Sequence, residues 1–99
     1  MQIRFTNISE DKIKQFSFDG QLIGNLSAGK TTRYYSFNSI ALNAHKEAVT
    51  EAKAEYNGYN IASYLYDADE NTILTNGKHT MNVDVYVYCG VGLGVYLDE

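Results

Sequence analysis

The chain has 99 residues, 44% of them hydrophobic and 20% charged, which is enough for one modest core and excludes a disordered chain. Eight basic against twelve acidic residues leave a net charge of −4. With no Lys/Arg cluster, that argues against nucleic acid as a partner, because phosphate contacts dominate such affinity. No run approaches the roughly 18 apolar residues of a membrane helix, no signal-peptide pattern opens the chain, and the single cysteine, Cys89, excludes an intramolecular disulfide.

Residues 2–7 alternate, with Ile3 and Phe5 on one face and Arg4 and Thr6 on the other, as a half-buried strand does. Ser9 to Lys12 reads as a turn. A second strand follows over 13–18, and Asp19-Gly20 signals a tight hairpin because primed turns need positive φ. The return strand is 22–26. Ser27 to Lys30 forms another turn, and the Thr-, Tyr- and Phe-rich stretch 31–40 reads as strand.

Residues 41–56 are rich in Ala, Glu and Lys, which favour helix. The competing signal is Asn57-Gly58, a strong hairpin dipeptide. A two-residue loop there pairs Tyr56 with Tyr59, Ala54 with Ile61 and Ala52 with Ser63, all in phase. The expectation is therefore a strand over 48–56, with 41–47 a loop or short helical turn, and a second arm over 59–66. A polar loop spans 67–76, with a short strand at 72–75.

The longest strand is predicted over 78–89. Met81, Val83, Val85, Val87 and Cys89 share one face, and Thr80, Asn82, Asp84, Tyr86 and Tyr88 share the other. A final strand covers 93–97. A three-residue loop at 90–92 pairs Cys89 with Leu93, Val87 with Val95 and Val85 with Leu97, keeping apolar opposite apolar. On the other face it pairs Tyr86 with Tyr96 and sets Tyr88 beside Gly94. About seven short strands at this spacing predict a single all-β domain over residues 1–99, an antiparallel β-sandwich.

The motif matches are weak on inspection. Gly24 to Thr31 spells the phosphate-loop pattern, but that chemistry needs a helix after the loop. Here Thr32-Arg33-Tyr34-Tyr35 follows, so a turn between two strands is expected. Asp67, Asp69 and Asn71 start like a calcium loop, yet Thr72 stands where Gly is needed and Lys78 where Glu is needed. Gly90-Val91-Gly92-Leu93-Gly94 leaves no room for the helix of a dinucleotide site. His45 and His79 lack partners at ligand spacing, and Cys89 on a valine face reads as a core thiol. No catalytic residue, metal site or cofactor is expected, and the domain is read as non-enzymatic. Asn7-Ile8-Ser9 and Asn25-Leu26-Ser27 are glycosylation sequons, relevant only in a eukaryotic secretory setting.

Nine tyrosines are the one positive hint. Tyr86, Tyr88 and Tyr96 would face outward on the terminal hairpin. There they could stack on a glycan or anchor a protein partner, or only brace the two strands against each other.

Several segments resemble small Bacteroidetes lipoproteins. They are Gly24-Asn25-Leu26 with Ala28-Gly29-Lys30-Thr31-Thr32, Tyr34 and Ser36-Phe37; Leu74 with Gly77-Lys78-His79-Thr80-Met81, Val83 and Val85; and Leu93, Val95 and Leu97-Asp98. The resemblance covers most of the chain. It differs in His79 and Met81, where Tyr is common, and in the Ala-rich 41–54 segment. It implies an immunoglobulin-like or transthyretin-like sandwich, secreted or held at the cell envelope, with any lipid anchor attached upstream of Gln2. The functional expectation is a binding or structural role toward an unknown protein or glycan, the alternative being a carbohydrate-binding module that uses the tyrosine face.

Overall fold

Strand and turn chemistry agree along most of the chain, and the computed structural model, which describes residues 1–63, 72–87 and 90–98, is all-β. The strands are β1 (Gln2–Asn7), β2 (Ile13–Phe18), β3 (Gln21–Leu26), β4 (Tyr35–Ser36), β5 (Ile40–Leu42), β6 (Ala52–Tyr56), β7 (Tyr59–Ala62), β8 (Thr72–Leu74), β9 (Lys78–Val87) and β10 (Val91–Leu97).

Both expected two-residue hairpins form. Asp19 and Gly20 have φ of 53° and 76°, and Asn57 and Gly58 have φ of 49° and 82°. Positive φ at both central positions is the type I′ turn, whose twist suits paired strands. Tyr56 accordingly faces Tyr59, and Ala54 faces Ile61. Ser63 completes the register: its N–H donates to the Ala52 carbonyl at 2.8 Å, and its hydroxyl accepts from the Ala52 N–H at 2.9 Å.

Strand β2 departs from simple alternation. Ile13, Phe16 and Phe18 are all buried, a spacing of three and then two. The extra residue is absorbed by Gln15, whose φ is 51°, in a β-bulge between Ile13 and Phe16. The Gln15 N–H, turned out of the ladder, donates to Asn25 Oδ1 at 3.0 Å.

The strands form two four-stranded sheets, β10-β9-β1-β4 and β3-β2-β6-β7, with a two-stranded β5-β8 pair beside them. One core joins both sheets. Ile3, Phe5, Met81, Val83, Leu93 and Val95 enter it from the first, and Ile13, Phe16, Phe18, Leu26, Ala52, Ala54 and Ile61 from the second. Phe5 is the hinge of this packing. Its ring centroid is 5.1 Å from Phe16, 5.3 Å from Phe18 and 6.2 Å from Phe37, within the range of favourable edge and tilted contacts.

Several expectations are corrected. The described residues hold ten strands, not about seven, and β1 runs parallel to β9, from Gln2 opposite Lys78 to Asn7 opposite Val83, so the pairing is not wholly antiparallel. The expected strand 31–40 is broken. Thr31 bridges Thr6, whereas Tyr35 pairs with Ile3, one residue out of phase. Between them, Thr32 Oγ1 takes the Phe5 N–H at 3.0 Å.

The expected strand 48–56 shortens to β6, with Ala48 reduced to a bridge to Leu42. Residues 43–47 form a turn around Asn43, whose Oδ1 accepts from the N–H groups of His45 at 2.9 Å and Glu47 at 3.0 Å. Asn side chains favour such local closure.

The terminal hairpin slips. Val87 faces Val91, Val85 faces Leu93 and Val83 faces Val95, so β10 already begins at Val91 and the expected loop 90–92 does not form. Val85 meets Leu93 where Leu97 was expected, a shift of four residues. An even shift keeps every side chain on its expected face, so apolar matching alone could not separate the two registers. The adopted one sets Val95 and Leu97 beside the deepest part of β9, opposite Val83 and Met81, which are fully buried. Val87, on the same face, is 74% exposed, because the hairpin extends past the core. Tyr88 and Cys89 lie outside the described residues, as do residues 64–66 of the expected second arm and the calcium-like Asp67, Asp69 and Asn71.

Candidate binding surface

The outward face of β9 and β10 carries Tyr86 and Tyr96, as alternation requires. The expected Tyr86–Tyr96 pair is replaced by the register slip: Tyr86 faces Gly92, and Tyr96 faces Asn82. Tyr86 instead lies across the strand on Gly94. A Cβ built on Gly94 would fall 2.6 Å from Tyr86 Cζ, so only glycine lets the ring lie down there. This is the covering of a strand glycine by a cross-strand aromatic, the place that the expected register assigns to Tyr88. Tyr86 keeps 44% of its surface exposed, and Tyr96 is half-buried.

Burial, then the carboxylate of Glu47, the Tyr96 phenol and Asp84, raise the Tyr86 pKa above the ordinary 10.0. Burial, then Asp84 and Asp98, raise that of Tyr96. This half of the face is therefore aromatic and acidic.

The other half, across β9 and β1, is aromatic and basic. Arg4 Nε donates to Thr80 Oγ1 at 2.8 Å, in register with the Arg4–Thr80 backbone pair. The Arg4 guanidinium carbon stands 5.1 Å from the Tyr34 ring centroid, and Lys78 Nζ stands 5.3 Å from the same ring, both at cation–π range. Between the halves are hydroxyl and amide groups. Thr6 and Thr31 hydroxyls share a 2.8 Å hydrogen bond, and Asn82 is paired between Thr6 and Tyr96. Sequence reasoning missed Arg4, Tyr34 and Lys78. Each is legible as outward-facing, but nothing local in the chain brings residue 4 beside residue 78.

The described residues also line hollows. One of about 440 Å³ sits on the second sheet, lined by Gln15, Lys53, Glu55, Asn60 and Ala62 among others. Another, about 260 Å³, is lined by Ile8, Ser9, Glu10, Asp11, Tyr56, Asp84 and Val85. In it the Tyr56 hydroxyl donates to Asp11 Oδ2 at 2.6 Å, and that bond is the first cause of a raised Tyr56 pKa.

The other sequence candidates settle into structural places. Residues 27–30 form a turn, with Gly29 at a φ of 74°. Its N–H donates to the Asn7 carbonyl at 2.8 Å, and an extended segment follows it. Asn7 of the first sequon is fully buried, and its Nδ2 is committed to the carbonyls of Asp11 and Leu26, each at 2.9 Å. Asn25 of the second is exposed. His45 is exposed on the 43–47 turn, and His79 Nε2 lies 2.8 Å from the Asn76 carbonyl.

Among the described residues no group of three or more His, Cys, Asp or Glu side chains could hold a metal ion, and no helix is long and apolar enough to cross a membrane. Comparison with protein-family profiles, curated proteins and solved structures returns no match.

Proposed function

We propose that this chain is a non-enzymatic domain of immunoglobulin-like or transthyretin-like sandwich type, secreted or held at the cell envelope, that acts by binding through the outer face of the β10-β9-β1-β4 sheet. One observation carries the reading: Tyr86 is laid flat over Gly94 and still 44% exposed, on the same face as Tyr96. A ring held flat on a sheet is pre-organised, so it stacks on a partner without the entropic cost of ordering it first. The partner is a protein or a glycan, and the hydroxyl and amide groups beside the rings favour a carbohydrate-binding module as the specific form.

A glycan array tests this form. Binding that falls on Tyr86→Ala or Tyr96→Ala supports it, and silence across the array rejects it. The envelope location is tested by fractionating the native host. Recovery with the membrane or medium supports it, and recovery in the cytoplasm overturns it.

A further inference from the structure

We propose that Arg4, Tyr34 and Lys78 form an anion subsite, and that the ligand of this face is a sparsely acidic oligosaccharide, one carrying an isolated carboxylate or sulfate on an otherwise neutral chain. The inference rests on reading this face as a binding surface, and it names the ligand class.

Two cations share one ring, within about a Debye length of each other at 0.1 M salt. Like charges so placed repel, and a chain with twelve acidic residues could have supplied a carboxylate between them. Among the described residues none is within ion-pair distance of either; the ion pair found there is Lys53–Glu51, on the other sheet. Arg4 spends one donor on Thr80 and presents the rest of its planar fork, the geometry that suits a carboxylate or sulfate. Tyr34 and Thr80 hold it in place, which lowers the ordering cost of binding.

The rest of the face narrows the ligand. From Thr80 to Tyr86 is six residues of strand, roughly 20 Å, so one ligand reaching both the cations and the Tyr86 ring has several sugar units. Along that path lie Asn82 and the Thr6 hydroxyl, partners for sugar hydroxyls. Of the exposed aliphatic side chains, Leu22 and Ile73 belong to other strands, Val87 and Val91 lie on the inward side of the terminal hairpin beyond the core, and Ile8 follows the end of β1, so the path from Lys78 to Tyr86 itself lacks the apolar centre of a protein interface. At its far side Glu47, Asp84 and Asp98 surround the two tyrosines. They repel a second acid group, and the separation from the cations runs across the strands: Asp98 is level with Arg4 along β9, on the β10 side, through its N–H to the Thr80 carbonyl. A uniformly charged polymer therefore meets attraction on the β1 side and repulsion on the β10 side.

The test compares three immobilised probes: a neutral oligosaccharide, the same chain bearing one terminal uronate or sulfate, and a densely sulfated polysaccharide, each at two salt concentrations. The singly acidic chain is expected to bind best, and its advantage to shrink with salt. Arg4→Gln with Lys78→Gln should weaken it roughly tenfold while leaving binding of the neutral chain unchanged. Lys53→Gln on the opposite sheet should have no effect, and thermal melts verify that the variants fold. The inference is overturned if the double variant binds the acidic chain as tightly as wild type, or if the dense polyanion binds best. Neutral chains bound equally well and lost on Tyr86→Ala would overturn the anion subsite while leaving the binding face standing. An acidic peptide bound more tightly than any glycan would overturn the saccharide assignment.

Discussion

Asn7 is the residue on which most local geometry converges. It is fully buried and makes four side-chain hydrogen bonds, to the Asp11 and Leu26 carbonyls and from the Ser9 N–H and hydroxyl. It thereby ties β1, the 8–11 turn and the end of β3 together. Asn7→Ala strands several buried polar groups at once and is expected to cost about 2–4 kcal/mol, read as a lower denaturation midpoint at unchanged slope. The tyrosines make a second residue-scale expectation. Tyr56, Tyr86 and Tyr96 all have pKa values raised above 10.0. A raised folded-state value means that the stabilisation is complete below the unfolded pKa and is lost as pH climbs through the folded one. Stability should thus fall above about pH 10, and less steeply in Tyr56→Phe, which has no phenol to ionise against Asp11. Gly94→Ala would lift the Tyr86 ring from its seat and return its titration toward the ordinary value, visible in an ultraviolet pH titration.

At the scale of elements, the two type I′ hairpins were legible because their information is local: two residues, Asp19-Gly20 or Asn57-Gly58, set both turn and register. Gly58→Ala places a Cβ at a φ of 82°, and the expected loss is about 1–2 kcal/mol, measurable by chemical denaturation. The β9–β10 hairpin was legible only in part. Alternation named its inward and outward faces, but two registers four residues apart satisfy the same alternation. The choice between them depends on where the core lies along β9, a tertiary fact. Strand 31–40 failed for a similar reason. Its composition favours strand throughout, but the Thr32 side chain occupies a ladder position against Phe5 and breaks it in two. The loop or short helical turn expected over 41–47 is overturned at its start, because Ala41 and Leu42 pair with Ile73 and Thr72 as strand, and the Ala, Glu and Lys composition suits several conformations. Asn43 decides the matter with two backbone N–H groups.

For the whole molecule, the all-β class follows from the absence of sustained helical spacing, and the inner residues Ile3, Phe5, Met81, Val83, Leu93 and Val95 follow from strand phase. The β1–β9 partnership does not, since parallel strands joined through most of the chain leave no local signature. The same blindness hid the Arg4–Tyr34–Lys78 corner, whose members come from three separate stretches. This pairing also sets the folding speed. Contacts between residues 2–7 and 78–83 give high contact order, so refolding in milliseconds to seconds is expected by stopped-flow fluorescence of the tyrosines. Phe5→Ala removes the ring that meets Phe16, Phe18 and Phe37. It should cost about 3–5 kcal/mol, a large share of what a domain this size has.

The parallel pairing has one more consequence. The Gln2 N–H donates to the Gly77 carbonyl, and the Asp98 N–H donates to the Thr80 carbonyl. Residues near the two ends of the sequence therefore flank the same end of β9, about 10 Å apart at two strand spacings. A short Gly/Ser bridge from residue 98 to residue 2 spans that gap, and the exposed Asn57-Gly58 turn offers a place to reopen the chain. Such a circular permutant would make Arg4 and Lys78 intramolecular neighbours of the new junction while separating β6 from β7, turning the most local contact of the fold into its most distant one.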